Sequence, residues 1–248
     1  MFWAEPFRAH LLRLYVLLTA ALLPFVIWPG IDLAVARIFY VPGEGFPLDE
    51  LAWLQVLRNQ LWNLSIAGFL AGLAGLAWAE FRASMVLARL SMLVTAFYLT
   101  GPVLLSHALF KEEWHRARPA NILEFGGPGQ FTGPLEQPGS CLDNCSFVSG
   151  EVSGMATLAL SLIWVLPALP SLRWRRAVAG IAVALVLLSA GLRMAMGRHF
   201  FSDCLFAVLF MFALWSLFSR ALPAGWKPLA SLRAAPEAPT PPPGGAPR

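Results

Sequence analysis

Leu90-SMLVTAFYLTGPVLLSHAL-Phe110 runs for 21 residues without an Asp, Glu, Lys or Arg, and Lys111-EEWHRA-Arg118-Pro119 follows at once. A charge-free run of this length matches the ~20 residues that an α-helix needs to cross a bilayer. The ions at its end mark the edge where the helix meets water. The rest of the chain repeats the pattern. Further spans read from Leu14 to Trp28, Trp62 to Ala79, Val152 to Leu172, Ala177 to Leu192 and Cys204 to Ser219. The first does not read as a cleaved signal, because it ends Phe-Val-Ile-Trp-Pro-Gly with no small-x-small site. Two of the later runs are near 16 residues, so either Arg193 and Arg220 snorkel or the helices continue into their polar flanks.

Composition agrees. Of 248 residues 58% are hydrophobic and 13% charged, against roughly a quarter charged in soluble domains. The mean hydropathy is +0.64. The net charge of +4 is small and scattered along the boundaries of the apolar runs, which excludes nucleic acid as a partner. The fold expected is therefore all-α: a polytopic bundle of six transmembrane helices in a lipid bilayer.

Charge sets the topology. Arg173, Arg175 and Arg176 lie between spans four and five, Arg82 between spans two and three, and Arg8, Arg13 and Arg220 near the ends. Lys and Arg collect on the cytoplasmic side, so both termini are expected inside and the loops after spans one, three and five outside. In the outer segment from Pro29 to Leu61, Ile31, Val35 and Ile38 and then Leu51, Leu54 and Leu57 recur at short helical spacing. This segment is expected to lie along the interface, packed on the bundle, with a substrate entrance as the alternative. Residues 1–225 form one membrane domain, and the Pro, Gly and Ala of 226–248 form a disordered cytoplasmic tail. Cys141 and Cys145 are four apart in an outer loop. Neither a His nor a further Cys follows at zinc-ligand spacing, so the pair is either a small disulfide or two free thiols.

Three polar places punctuate the outer side. Were the helix to continue past Phe110, Lys111 and Arg118 would share a face two turns apart and form an anion site; the plainer reading is boundary cations among lipid headgroups. Ser149 and Gly150 precede span four, where free backbone N–H groups favour an anion, although N-capping by Ser149 explains the same residues. In Arg193-MAMG-Arg198-His199-FFS-Asp203, the imidazole and carboxylate are four apart, so on a helix the Asp orients the His. An oriented His is a base or a nucleophile. Together the three places supply cations, a helix N-terminus and a held imidazole on one side, the parts for phosphoryl transfer by positioning and charge. No metal cluster and no Walker loop accompanies them.

These segments resemble the type-2 phosphatidic acid phosphatase superfamily over about residues 85–220. Lys111, Arg118 and Pro119 match its Lys, six residues, Arg-Pro; Arg193, His199 and Asp203 match the spacing of its third motif. The resemblance implies His199 as the nucleophile of a phosphohistidine intermediate, Asp203 as its orienter, and Lys111, Arg118, Ser149, Gly150 and Arg193 around the phosphoryl oxygens. It implies no metal and no cofactor. Leu192 stands for the family's Ser, and Val148-Ser149-Gly150-Glu151 stands for its Pro-Ser-Gly-His. Glu151 thus takes the place of the acid that protonates the leaving oxygen, or else activates the hydrolytic water. A Ser-Gly-Glu version with cysteines just upstream resembles the branch containing lipid A 4'-phosphatases. The function expected is hydrolysis of a phosphorylated membrane lipid at the periplasmic face of a bacterial inner membrane, with lipid A phosphate favoured. Undecaprenyl diphosphate, phosphatidylglycerophosphate and phosphatidic acid follow as substrates, then a lipid phosphotransferase, then a catalytically impaired lipid-binding or transport protein.

Overall fold

The computed structural model describes residues 6–136, 140–141 and 145–222. The tail read from 226 onward lies outside the described residues. Among the described residues seven helices have at least two turns: α1 (Phe7–Ile27), α2 (Gly30–Arg37), α3 (Ala52–Phe81), α4 (Met85–Lys111), α5 (Gly150–Ala168), α6 (Leu172–Ala195) and α7 (Phe201–Ser219). All but α2 are long and apolar enough to cross a membrane, and no β-strand occurs among the described residues. The six spanning helices have the order that the hydropathy implies.

Their ends differ from the apolar runs in a consistent direction. The helices continue into their polar flanks: α1 takes in Arg8 and Arg13, and α6 takes in Arg173, Arg175, Arg176 and Arg193. Lys and Arg are good helix formers, so a charge marks the membrane edge without stopping the backbone. Three of the starts are set by capping. The Ser84, Ser149 and Ser171 hydroxyls accept the N–H of Leu87, Val152 and Trp174 at the starts of α4, α5 and α6.

The largest correction concerns the outer segment. Leu51–Leu61 does not lie along the interface; from Ala52 it is the first three turns of the 30-residue α3. Leu54 and Leu61 are buried against Met155, Leu192 and Met196. Gly30–Arg37 and the turn Pro47–Glu50 are the helical pieces of that segment that remain outside the spanning helices.

Tight packing of α3 on α4 uses the glycines of span two. A Cβ at Gly75 would lie 2.3 Å from Ser91 Oγ, and one at Gly72 would lie 2.9 Å from Thr95 Oγ1. Such close approach suits small residues, because between helices in lipid packing replaces the hydrophobic effect as the attractive force. The second half of α4, Leu99–Lys111, is wound more widely, as a π-helix, and contains Pro102. A proline inside a helix lacks its N–H and collides with the carbonyl four residues back, and widening the turn relieves both.

Because the helices alternate in direction, the starts of α3, α5 and α7 and the ends of α4 and α6 meet at one end of the bundle. Arg82, Arg173, Arg175 and Arg176 belong to the other end, where Arg220 also lies over the Phe7 ring.

Candidate active site

At the meeting end a cavity of about 470 Å³ opens between α3, α4, α5 and the α6–α7 connection. Arg58, Lys111, Arg118, Glu151, Arg193 and His199 line it, with the Gly150 backbone. A second cleft of about 440 Å³, between α5, α6 and α7, is lined by apolar side chains such as Leu160, Val186 and Val208 and carries no charged group. The polar groups thus converge in one place. Of the residues singled out from the sequence, Lys111, Arg118, Gly150, Glu151, Arg193 and His199 face the cavity. Ser149 and Asp203 are buried and do not line it.

Lys111 and Arg118 reach the cavity by a route other than a shared helix face. After Lys111 the chain makes one more turn to Trp114, and His115 takes a left-handed conformation (φ 49°) that breaks the helix. Arg118 then returns in extended backbone ahead of Pro119. Burial, with Arg198 nearby, pulls the pKa of Arg118 below its ordinary value. Ser149 caps α5, and Val152 donates to its hydroxyl at 3.4 Å. The capping reading therefore accounts for its side chain, while Gly150 brings backbone to the cavity at the helix N-terminus.

His199 precedes α7 instead of sitting on it. Gly197, at φ +64°, turns the chain out of α6, and a Cβ there would meet the Phe46 ring at 2.5 Å. The imidazole is 2% exposed, and its Nδ1 lies 2.8 Å from the Ser146 carbonyl oxygen. A carbonyl only accepts, so Nδ1 carries the proton and Nε2 the lone pair. The carboxylate of Asp203 stands 3.8 Å from Nδ1, beyond hydrogen-bond reach, and the Ser146 hydroxyl donates to it at 2.5 Å. Orientation of the ring is thus shared between a backbone carbonyl and an Asp held in place behind it. Burial lowers the His199 pKa to about 4 against the opposing pull of Asp203, with Arg193 and Lys111 adding to the lowering.

Asp203 itself is held by residues that the motif spacing passes over. Arg116 Nη1 donates to Asp203 Oδ1 at 2.5 Å, and Nη2 donates to Asp32 Oδ2 at 2.8 Å. Arg116 Nε donates to the Thr132 carbonyl at 2.9 Å, and the guanidinium lies 4.4 Å from the centre of the Phe200 ring. Asp32 also accepts from the Ser202 hydroxyl and backbone N–H, at 2.5 and 2.8 Å. Arg116, Asp32 and Asp203 are all fully buried. Burial drives the Asp32 pKa up, with Asp203 adding and Arg116 opposing. Burial pulls the Arg116 pKa down, but the two carboxylates outweigh it and the net shift is upward.

On the cavity side Glu151 accepts from Arg58 on both oxygens, at 3.0 Å each from Nε and again from Nη2. Arg193 Nη1 lies 3.5 Å from Glu151 Oε1. Arg193 Nε is buried without a hydrogen-bond partner. Arg198 turns the other way, onto Asp49 of the Pro47–Glu50 turn. The segment before α3 and its first turns thus supply Asp32, Asp49 and Arg58, each paired with a residue of a motif-bearing segment. The burial of α2 shows why Asp32 has such a partner. Asp32 and Ala36 are four apart and both are buried in α2, so a lone carboxylate sits on a helix's apolar face, where it needs a buried partner.

Cys141 and Cys145 are joined as a disulfide with Cα atoms 5.7 Å apart. Among the described residues no group of three or more His, Cys, Asp or Glu converges to hold a metal ion.

The chain is similar to known proteins over most of its length. The model of the PAP2 superfamily matches residues 86–227. A lipid A 4'-phosphatase of Rhizobium leguminosarum is 31% identical over 200 residues, covering 74% of this chain and 84% of that protein. The protein of the same name from Francisella tularensis subsp. novicida is 29% identical over 216 residues, covering 83% of this chain and 92% of the relative. Among solved structures, the transmembrane PAP2 type phosphatidylglycerolphosphate phosphatase from Bacillus subtilis superposes with a TM-score of 0.52 at 18% identity. That superposition covers 84% of this chain and 93% of the other and supports the shared fold.

Proposed function

The chain belongs to the PAP2 superfamily and is a multi-pass membrane lipid phosphatase; on that premise we propose that it removes a phosphate from lipid A through a phosphohistidine on His199. The observation that carries this reading is the His199 ring. Its Nδ1 is committed to the Ser146 carbonyl while the side chain lines the cavity that holds Lys111, Arg118 and Arg193. An imidazole with Nδ1–H fixed presents the Nε2 lone pair as a nucleophile. Burial keeps the ring neutral at ordinary pH, with a pKa near 4.

In the reaction His199 Nε2 attacks phosphorus and the bond to the lipid oxygen breaks. The nonbridging oxygens lie among Lys111, Arg118, Arg193 and the Gly150 N–H, whose fixed charge stabilises the transition state. The partnerless Arg193 Nε is a donor suited to one of those oxygens. Asp203 steadies the charge that forms on the imidazole. Glu151 accepts from a guanidinium on both oxygens, the behaviour of an ionised carboxylate. Such a group takes protons more readily than it gives them, and its part falls in the second step, where water attacks the phosphohistidine and Glu151 accepts the water proton. The substrate class rests on the relatives from Rhizobium and Francisella, which are lipid A 4'-phosphatases.

On this reading the protein resides in a bacterial inner membrane, as its bacterial relatives suggest, and the positive-inside rule supports a cavity facing the periplasm with both termini in the cytoplasm. The Arg-rich connections lie at the end away from the cavity. A disulfide at Cys145, the residue before Ser146, belongs in an oxidising compartment, in agreement.

The test is phosphate release by purified protein in detergent, without added metal, on lipid A, undecaprenyl diphosphate, phosphatidylglycerophosphate and phosphatidic acid. Release fastest from lipid A and lost in His199→Ala is expected. Wild-type rates in His199→Ala would overturn the mechanism, and a faster rate on another lipid would replace the substrate.

A further inference from the structure

The first step leaves a question of protons. When the bond from phosphorus to the lipid oxygen breaks, its electron pair stays on an oxygen that is a poor leaving group unless a proton reaches it. Glu151, bound on both oxygens by Arg58, is an acceptor. His199 is spent on phosphorus. Arg58, Arg118 and Arg193 hold their protons at any working pH, and Lys111 faces the phosphoryl oxygens.

One further titratable group lines the cavity among the described residues, and that is His107. It lies in the widened half of α4, where Val103, His107 and Lys111 recur every four residues and all three face the cavity. His107 is therefore about one turn deeper along the helix than Lys111, and Val103 one turn deeper again. Trp62 and Pro102 make the apolar lining beside them. The side chain is exposed and lines the cavity.

We propose that His107 is the catalytic acid that protonates the leaving oxygen of the lipid. The inference rests on the phosphohistidine reading above. In an in-line displacement the leaving oxygen departs opposite the attacking nitrogen, and here it carries the acyl-bearing part, which belongs on the apolar side. His107 stands between the cations that hold the phosphate and that apolar lining. In the first step the His199 Nε2–P bond forms, the P–O bond breaks, and the protonated His107 ring gives its proton to the departing oxygen, releasing the alcohol. In the second step water attacks phosphorus, the N–P bond breaks and Glu151 takes the water proton. Glu151 then loses that proton to solvent and His107 regains one from solvent. The net change is phosphate ester plus water to alcohol plus phosphate.

The experiment compares His107→Asn with wild type on three phosphates in the same micelles: lipid A, a long-chain alkyl phosphate, and a long-chain nitrophenyl phosphate whose phenolate leaves without a proton. Turnover on lipid A and the alkyl phosphate is expected to fall about 10²–10³-fold, while the nitrophenyl phosphate changes within about threefold. The ratio between substrates is taken on one preparation, so it does not depend on how much protein is folded. Equal loss on all three, or loss on none, would overturn the role of His107. His199→Ala separates this outcome from failure of the mechanism itself, since it must abolish release from all three, and so does Lys111→Ala, which must slow all three alike.

Discussion

Two Arg–carboxylate clusters flank His199, and they differ in what reaches them. Behind the ring, Asp32, Arg116 and Asp203 are fully buried and joined by hydrogen bonds of 2.5 and 2.8 Å. In front, Arg58, Glu151 and Arg193 line the cavity, and the Arg58 side chain is 32% exposed. The chemical groups are the same, but their consequences are not. A charge that loses its partner in a closed interior keeps the whole cost of desolvation, whereas one on a wet wall recovers water or a ligand. The rear cluster therefore belongs to folding and to the aim of the ring, and the front cluster, on the mechanism proposed above, to the phosphate.

The sharpest way to break this division is Arg116→Ala. It leaves two buried carboxylates facing each other with their guanidinium gone, and breaking a buried pair from one side costs about 3–5 kcal/mol. The variant should lose most of its thermal stability in detergent, as read by the unfolding midpoint, and any folded fraction should turn over slowly. Arg116→Lys keeps the charge but not the fork that spans Asp32 and Asp203, and should recover only part of the loss. A fully stable Arg116→Ala would merge the two clusters into one kind.

His199 lies between the clusters, and its titration sharpens the contrast. Burial, followed by Arg193 and Lys111 against the opposing Asp203, lowers its pKa to about 4, while the unfolded chain has an ordinary imidazole near 6.5. Between those values the unfolded state binds the extra proton, so stability rises with pH there. This contribution is fully present above about pH 6.5, falls as pH drops towards 4, and is not lost further below that. It amounts to roughly 3 kcal/mol. The unfolding midpoint of wild type measured against that of His199→Ala from pH 4 to 7 should converge towards the acid end. Parallel curves would place the ring in contact with water.

How much of this was legible in the sequence follows the same line. Lys111, Arg118, Arg193 and His199 were found because fixed spacings set them beside membrane edges, and a span's apolar run shows where those edges fall. Asp32, Arg58 and Arg116 were not. Each pairs across 84 to 93 residues, and a contact of that separation leaves no periodicity to count. Arg58 was further hidden because the first turns of α3 are polar enough to read as interface, although a helix of 30 residues has turns to spare beyond a bilayer's thickness. The winding of α4 was missed although Gly101-Pro102 stood in the middle of the run, since a proline signals a disturbance without saying whether the helix kinks or widens.

The smallest expected effect on stability is that of Arg58→Ala, and it tests the front cluster by itself. Arg58 and Glu151 are partly open to the cavity, so losing the pair should cost at most about 1 kcal/mol of stability. Function should respond more. With Arg58 gone, Glu151 keeps Arg193 as its near cation, 3.5 Å away, and draws it from the phosphoryl oxygens. About a tenfold fall in kcat/KM is expected for one charge withdrawn from the anion, or roughly 1.4 kcal/mol of transition-state binding. Adding Glu151→Gln to Arg58→Ala releases Arg193 from that pull, so phosphate affinity should return in the double variant while hydrolysis of the phosphohistidine slows. The ratio kcat/KM, which does not contain the second step, and the amount of trapped phosphohistidine report the two halves separately. A double variant that binds no better than Arg58→Ala would mean that Arg58 itself holds the phosphate, making the front wall a set of four cations rather than three cations and a braced pair.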